Sequence, residues 1–465
     1  MKLTERRIRR REFLRRMAGG AGVVGWTIVP RYVLGGPGQT PPSEMVNVAV
    51  IGAGGQGFVN TRELLREKDA QVVAVADPVR EMDYSRFYYG GAAGRKPVAA
   101  YVRRVNEKRG RPQLRCLEYL DFRKLLDERG RELDAVLVAT PDHVHATAAA
   151  AAIRMGKHVY CEKPLAHDVH EVRRVTELAH QRGVATQMGI INHAKTNYRR
   201  VVEWIRAGVI GQVREVHVWC NEGWPPRDRP KETPPIPDAI EDWDLWIGPA
   251  PYRPYHPAYV PVTWRAWWDF GNGRLGDMGC HLIDLAFWAL DLKRPETVEA
   301  EGQPHHPEGY PLWLTARWTF PARGGRPPVT LFWYDNDKRP PHLKEHNLPN
   351  WPQGVLFVGS RGMLLADYGR RELYPREKFA DFQPPAPSIP PSPGHKAEWL
   401  RACKGGAPAL ADFQYSGPLT ETVLLGTVAF RAREKLHWDP DDLRATNCPE
   451  AEQFIRRKYR KGWML

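Results

Sequence analysis

At 465 residues the chain is longer than one hydrophobic core usually supports, so two domains with appendages are expected. Apolar residues at 42% and charged residues at 26% are ordinary for a soluble globular protein, whose core needs no staples. The formal charge of +14 does not mark a nucleic-acid binder. The first 40 residues hold nine basic and two acidic side chains, +7 of the total, and no later block interleaves basic residues with aromatics.

The leader "RRIRRREFLRRMAGGAGVVGWTIVP" passes from charge into a glycine-rich apolar stretch too short and weak to span a membrane. Within it Arg10-Arg11-Glu12-Phe13-Leu14 resembles the twin-arginine signal, which engages an export machinery that moves proteins already folded. No A-x-A cleavage site follows, so the expectation is a periplasmic protein or one tethered by an uncleaved leader. A leader that does not function would leave it cytoplasmic. Residues 1–43 are read as leader and linker. The cysteines at 116, 161, 220, 280, 403 and 448 show neither a C-x-x-C pair nor metal-ligand spacing, and free thiols are expected.

Residues 46–51, "VNVAVI", read as a strand running into "GAGGQG" and then a helix; "AQVVAVAD" is a second strand closing on Asp77. A third strand at 133–140, an alanine-rich helix over about 143–155 and the short strand "HVYCE" continue the alternation, which predicts a doubly wound parallel sheet over residues 44–166. Gly52, Gly54 and Gly57 fit G-x-G-x-x-G between strand and helix, with an acidic residue at the end of the next strand. This is a dinucleotide site: Gly52 permits the tight turn, Gly54 the approach of a pyrophosphate and Gly57 close helix packing, with Ala53 and Gln56 in the same loop. Asp77 would bind the ribose hydroxyls and repel a 2′-phosphate, which favours NAD, whereas Arg80 leaves NADP open. "TPDHVH" follows at the carboxyl edge of the sheet, where Thr140, Pro141 and His143 are candidates to line the nicotinamide half. Taken alone, His143 reads as a helix-start residue and His145 as a surface residue.

Beyond about residue 190 the pattern changes to alternating runs such as "LWLTARWTF" and "VTLFWYD", so residues 167–465 are expected to form an α+β domain with a mostly antiparallel sheet. The proline-rich stretches "WPPRDRPKETPPIP" and "FQPPAPSIPPSPG" read as surface loops. In "GNGRLGDMGCHLIDLAFWAL", a helix starting near Gly276 would carry Asp277, His281 and Asp284 on one face. In isolation Asp277 could merely cap that helix and His281 could be a satisfied core histidine.

The words "CEKPLA" at 161–166, the glycine fingerprint and D-x-G-x-H-x-x-D at 277–284 together resemble the glucose-fructose oxidoreductase, inositol dehydrogenase and MocA family, and the leader resembles its exported bacterial branch. The resemblance implies hydride transfer between a sugar-like secondary alcohol and nicotinamide. It assigns Lys163, Asp277 and His281 to the family's lysine, aspartate and histidine, with Glu162 beside the cofactor and Asp284 closing the motif. His281 would then be the general base, Asp277 its orienter and Lys163 the cation on the hydroxyl oxygen. No metal is expected at these residues. Trp264, Trp267 and Trp268 could stack on a sugar ring, Arg265 could reach an anionic group, and Asn192 is a further candidate substrate contact. Three readings compete: a sugar, glycoside or cyclitol dehydrogenase; a redox-neutral glycosidase, lyase or epimerase acting through a keto intermediate; and a non-catalytic sugar-binding protein. The free sheet face suggests a homodimer or tetramer.

Overall fold

The computed structural model describes residues 41, 44–221, 228–303 and 306–465. The stretch read as a twin-arginine leader and nearly all of the linker lie outside the described residues. Among the described residues no helix is long and apolar enough to cross a membrane. The body Met45–Leu465 carries two principal sheets.

The first sheet is built from β1 (Val46–Ile51), β2 (Ala70–Ala76), β5 (Leu117–Tyr119), β6 (Ala135–Val138), β7 (His158–Cys161) and β8 (Thr186–Met188), in the order β5-β2-β1-β6-β7-β8 and parallel throughout; a two-stranded hairpin, β3 (Met82–Asp83) and β4 (Ala92–Ala93), stands apart. Its central strands are buried on both faces, which is why they read as continuous apolar runs. The helix Asp142–Arg154 packs on β6 and β7, and Val169–Arg182 packs against it, opened by a capping box between Asp168 and Glu171. The sheet runs on to Met188, past the boundary expected at 166. "VATQMG" supplies its last strand, and the helix before it is a crossover within the same domain.

The second sheet comprises β9 (Val213–Cys220), β10 (Thr297–Gly302), β11 (Leu314–Phe320), β12 (Val329–Asp335), β13 (Gln353–Gly359), β14 (Gly362–Ala366), β15 (Arg371–Tyr374), β16 (Leu436–Asp439) and β17 (Arg444–Ala445). The order is β15-β14-β13-β9-β12-β11-β10-β16-β17, antiparallel except where β9 meets β12. The strict alternation of buried and half-buried residues along β12 marks one face turned to the core. On that face lie the helices Gly273–Leu290 and Phe413–Ala432. The chain then doubles back: Trp399 and Leu400, from the helix His395–Cys403, complete the core of the parallel-sheet domain. All six cysteines are free thiols.

Candidate active site

The carboxyl ends of the parallel strands open on one cleft with about 1120 Å³ of empty space. In strand order its wall is Leu120 and Phe122 after β5, Asp77 and Val79 after β2, Gly52, Gly54, Gly55 and Gln56 after β1 with the buried Ala53 behind them, Ala139 to Asp142 after β6, and Glu162 and Lys163 after β7. The order of strands reverses between β1 and β6, the place where such sheets take dinucleotides.

The glycine turn fits a dinucleotide. Gly52 has φ +89°, and a Cβ there would lie 2.5 Å from the Ala139 carbonyl carbon; a Cβ on Gly57 would lie 2.0 Å from the Gly52 oxygen. Only glycine lets the helix Gly55–Leu64 start this close to β1, so that its first amides face the cleft. Asp77 accepts from Ala53 N at 2.6 Å and Val79 N at 2.8 Å. Burial pushes its carboxyl pKa up, against those two amides and Arg95. Glu162 accepts from Asn60 Nδ2 at 2.8 Å and Gln56 Nε2 at 3.3 Å, and Asn60 in turn accepts from the buried Lys396. Burial brings that ammonium down to about 8, with Glu162 and Glu63 opposing.

At the inner end of the cleft the two domains meet in a charge cluster. Lys163 Nζ donates to Asp277 Oδ1 at 2.6 Å and to the Asp277 carbonyl at 2.9 Å; Arg265 Nε stands 3.2 Å and Arg274 Nη1 3.6 Å from the same carboxylate. Burial alone would raise the Asp277 pKa, yet Lys163, Arg265 and Arg274 hold it well below the usual carboxylate range. Burial opposes the charge on Lys163, and Asp277 outweighs it. Three cations around one carboxylate leave an excess of positive charge, which favours an alkoxide over an alcohol. Arg265 also lies over the Trp264 ring, 4.2 Å from its centroid.

His281 follows one turn after Asp277 on the same helix, which begins at Gly273 rather than near Gly276. The cleft wall itself stops at Lys163 and Arg265, with His281 beyond it. Its Nδ1 is buried without a hydrogen-bond partner. Asp277 is therefore committed to the cations and does not orient the ring through a hydrogen bond, as the sequence reading expected. Burial, then Lys163, brings the imidazole down to about 3, so it is neutral and able to accept a proton across the physiological range. Asp142, also in the wall, is pushed up to about 7 by burial, with Arg265 and Lys163 opposing.

Other candidates fall outside the cleft. His143 is fully buried, Nε2 3.0 Å from the Trp246 carbonyl and Nδ1 3.3 Å from that of Phe270. At the first turn of its helix the side chain is directed into packing rather than at a ligand. Asp284 shares a helix face with Asp277 but lies two turns, about 10 Å, further on. Its buried carboxylate is occupied by His193 Nδ1 at 2.9 Å and Tyr415 OH at 2.6 Å, outside the cleft wall. Trp267 and Trp268 are core residues whose indole N–H groups donate to the carbonyls of Ala258 and His306. Asn192 is buried on the turn Ile191–Ala194, away from the wall. Thr140 and Pro141 do line the cleft.

Several wall residues went unread in the sequence. Tyr84 and Tyr89 close over the glycine loop: a Cβ on Gly54 would meet Tyr84 Oη at 2.6 Å, and one on Gly55 the Tyr89 ring at 2.5 Å. The signal was "FYYGG", aromatics beside glycines in a short loop. His145, expected at the surface, is buried and bridges the carbonyls of Pro164 at 2.7 Å and Thr140 at 2.8 Å, fixing the backbone on which Lys163 stands. Trp463 packs beside Phe122 with centroids 6.0 Å apart, and the Arg123 guanidinium lies 4.3 Å from its centroid, closing the Asp77 end. Replacing it, Trp463→Ala, is expected to weaken NAD binding roughly fivefold, about 1 kcal/mol of lost ring contact, measured by fluorescence titration.

Comparison with known proteins agrees with this arrangement. The family model described as "Oxidoreductase family, NAD-binding Rossmann fold" matches residues 46–190, and "Oxidoreductase family, C-terminal alpha/beta domain" matches 205–327. The chain is 32% identical over 184 residues to inositol 2-dehydrogenase 2 of Saccharopolyspora erythraea, 39% of this chain and 47% of that one. It is 27% identical over 173 residues to levoglucosan dehydrogenase of Pseudarthrobacter phenanthrenivorans, 36% of this chain and 35% of the relative. With an uncharacterized oxidoreductase of Rhizobium meliloti at 25%, the matches span between a quarter and a half of these relatives' lengths. Among solved structures, GenD2 from gentamicin A biosynthesis in complex with NAD superposes with a TM-score of 0.56 at 18% identity, over 86% of this chain and 98% of that one. Scyllo-inositol dehydrogenase from Lactobacillus casei with NAD(H) and scyllo-inositol gives 0.52 at 14%, over 84% and 98%. With a glycine cradle and charge cluster at the ends of its parallel strands, and family models matching the parallel sheet and the first three strands of the second, the chain belongs to the Gfo/Idh/MocA oxidoreductase family and carries an NAD-binding Rossmann domain.

Proposed function

We propose that the protein is an NAD-dependent oxidoreductase acting on a secondary alcohol of a sugar, glycoside or cyclitol. The observation that carries this reading is the Lys163–Asp277–Arg265 cluster at the end of the dinucleotide cleft, with a neutral His281 one turn away. Nicotinamide, when bound, supplies the hydride acceptor. Lys163 holds the hydroxyl oxygen and stabilises its developing negative charge, and Asp277 fixes the ammonium in place. His281 takes the hydroxyl proton. Trp264, in the wall, offers an indole face to the apolar side of a ring.

NAD is favoured over NADP because Asp77 lies in the wall, whereas Arg80 is half-exposed and stands 3.7 Å from Glu241. The relatives named for inositol and levoglucosan support a polyol or sugar substrate. The arginine-rich leader supports export of protein already folded around its cofactor. The test is mass spectrometry of the purified chain for bound dinucleotide, followed by a panel of sugars, glycosides and cyclitols assayed for NADH. Stoichiometric NAD with NADH formed from a polyol is expected. Substrate consumed without NADH, with solvent deuterium incorporated beside the oxidised carbon, would replace net oxidation by a redox-neutral cycle.

The acid limb of the pH profile follows from the same shift. A general base must be unprotonated, and an imidazole brought down from about 6.5 to about 3 stays so on acidification, so log kcat/KM is expected not to fall through a His281 ionisation between pH 8 and about 5. An inflection near pH 7 belongs to Asp142 and should vanish in Asp142→Asn. A limb near 6.5 that survives in that variant would show His281 titrating normally and contradict the assignment.

A further inference from the structure

The face of the nine-stranded sheet turned away from the Gly273–Leu290 helix carries a second cluster unrelated to the cleft. Val216 and Val218 of β9 point into the main core, so Glu215 and His217 point to the other side. There the short helix His342–Glu345 lies over the strands and brings His342 against His217, ring centroids 4.5 Å apart. Glu215, His217 and His342 each offer a ligand atom, and these atoms all lie within 4.8 Å of one another.

The nitrogens are arranged as metal ligands require. His217 is buried and held from two sides, its ring stacked on Phe332 at 4.8 Å and its Nδ1 3.0 Å from the Tyr334 hydroxyl. In the tautomer that donates from Nδ1 to that hydroxyl the lone pair is on Nε2, the outer-sphere support common to metal-bound imidazoles. Nε2 faces Glu215 Oε1 at 2.9 Å, and the buried Nδ1 of His342 makes no hydrogen bond. Ligands about 2.1 Å from one tetrahedral ion stand about 3.4 Å apart, so closure needs only small side-chain rotations at half-exposed Glu215 and His342. One turn after His342, His346 lies with its ring 5.8 Å away, at the i, i+4 spacing that presents two imidazoles on one helical face.

We propose that Glu215, His217 and His342 form a binding site for a divalent transition-metal ion, zinc in preference to magnesium or calcium. Two imidazoles and one carboxylate are a zinc-type donor set, and the hard cations take oxygen ligands. The fourth position falls to His346 or to water. Bound there, the ion ties the segment carrying the His342–Glu345 helix to the sheet, a structural role separate from hydride transfer. Spacing along the chain could not show it, because the donors come from a strand and a distant connection that meet only in the fold.

The test uses the chelator-treated full chain titrated with Zn²⁺ by calorimetry and with Co²⁺ by visible absorption. One ion per chain is expected, with Co²⁺ d–d bands of a nitrogen and oxygen set. Binding should weaken by roughly a hundredfold in both H342Q and E215Q. Those residues are half-exposed, so both variants should fold, which circular dichroism verifies; the buried H217N is a third variant, informative if folded. No stoichiometric binding to the wild type, or affinity unchanged in H342Q and E215Q, would overturn the site. So would thiolate-to-cobalt charge-transfer bands, which would place the ion on cysteines.

Discussion

Lys163→Ala is expected to lower kcat by about a thousandfold, roughly 4 kcal/mol of lost transition-state stabilisation, while leaving NAD bound and the fold intact. The ammonium is the cation nearest the Asp277 carboxylate and the one in the wall immediately after β7, so an alcohol oxygen reaching the cleft end meets it directly. Asp277 in the variant keeps Arg265 and Arg274, so the buried carboxylate is not stranded and the melting temperature should change little. Lys163→Arg should rescue poorly, because a planar guanidinium cannot place one compact charge where the ammonium sits. Initial rates on whichever polyol the panel identifies, beside the bound-NAD stoichiometry, provide the check. A rate within tenfold of wild type would remove Lys163 from the chemistry.

Arg457→Ala is expected to cost about 3–5 kcal/mol of stability, the usual result of stranding buried carboxylates by removing their cation. Arg457 Nε donates to Glu171 Oε1 at 2.7 Å, Nη2 donates to the His143 carbonyl at 2.6 Å, and the Asp168 carboxylate lies 3.7 Å away. Asp168 and Glu171 are the capping box of the crossover helix, so the loss is felt where that helix starts. Burial, followed by Glu171, already raises Asp168 to about 8, and Arg457 opposes that rise. Without the arginine the folded-state pKa of Asp168 rises further above its unfolded value. Such a group favours the fold when protonated and penalises it as pH rises. Wild type escapes this penalty by ionising above about 8 and the variant does so only at higher pH, so the deficit should be nearly level below pH 7 and larger at pH 9 than at pH 6. Urea denaturation of both proteins at the two pH values measures it. Tyr459→Phe, which removes one hydroxyl from the same Glu171 oxygen, should cost only about 1 kcal/mol.

What the sequence disclosed is what local rules govern. The strand, glycine turn and helix at 46–64 are fixed by steric demands confined to a few residues, and the structure meets them at Gly52 and Gly57. The apolar runs of β1 and β6 and the alternation of β12 identified the two sheet types for the same reason. What escaped was set by distant contacts. Helical periodicity put Asp284 on the face of Asp277 but could not show that His193 and Tyr415 wait two turns further along. His143 and His145 stand two apart on one helix, and only the fold decides that one packs between two carbonyls away from the wall while the other braces Pro164 within it. The expected boundary at 166 missed β8 because a crossover helix looks the same whether it links strands of one sheet or opens a new domain. Trp463 reaches the cleft from far along the chain, and no spacing could place it there.

The bond between Lys163 and Asp277 joins the end of a strand in one sheet to a helix resting on the other. To widen the crevice is therefore to separate opposite charges away from water, a costly excursion and hence a rare one. Residence time of the dinucleotide should then follow how often this latch lets go rather than how many contacts the dinucleotide makes. Exchange of isotopically labelled NAD into the protein should be slow, and should quicken when the latch is cut even where equilibrium affinity barely moves.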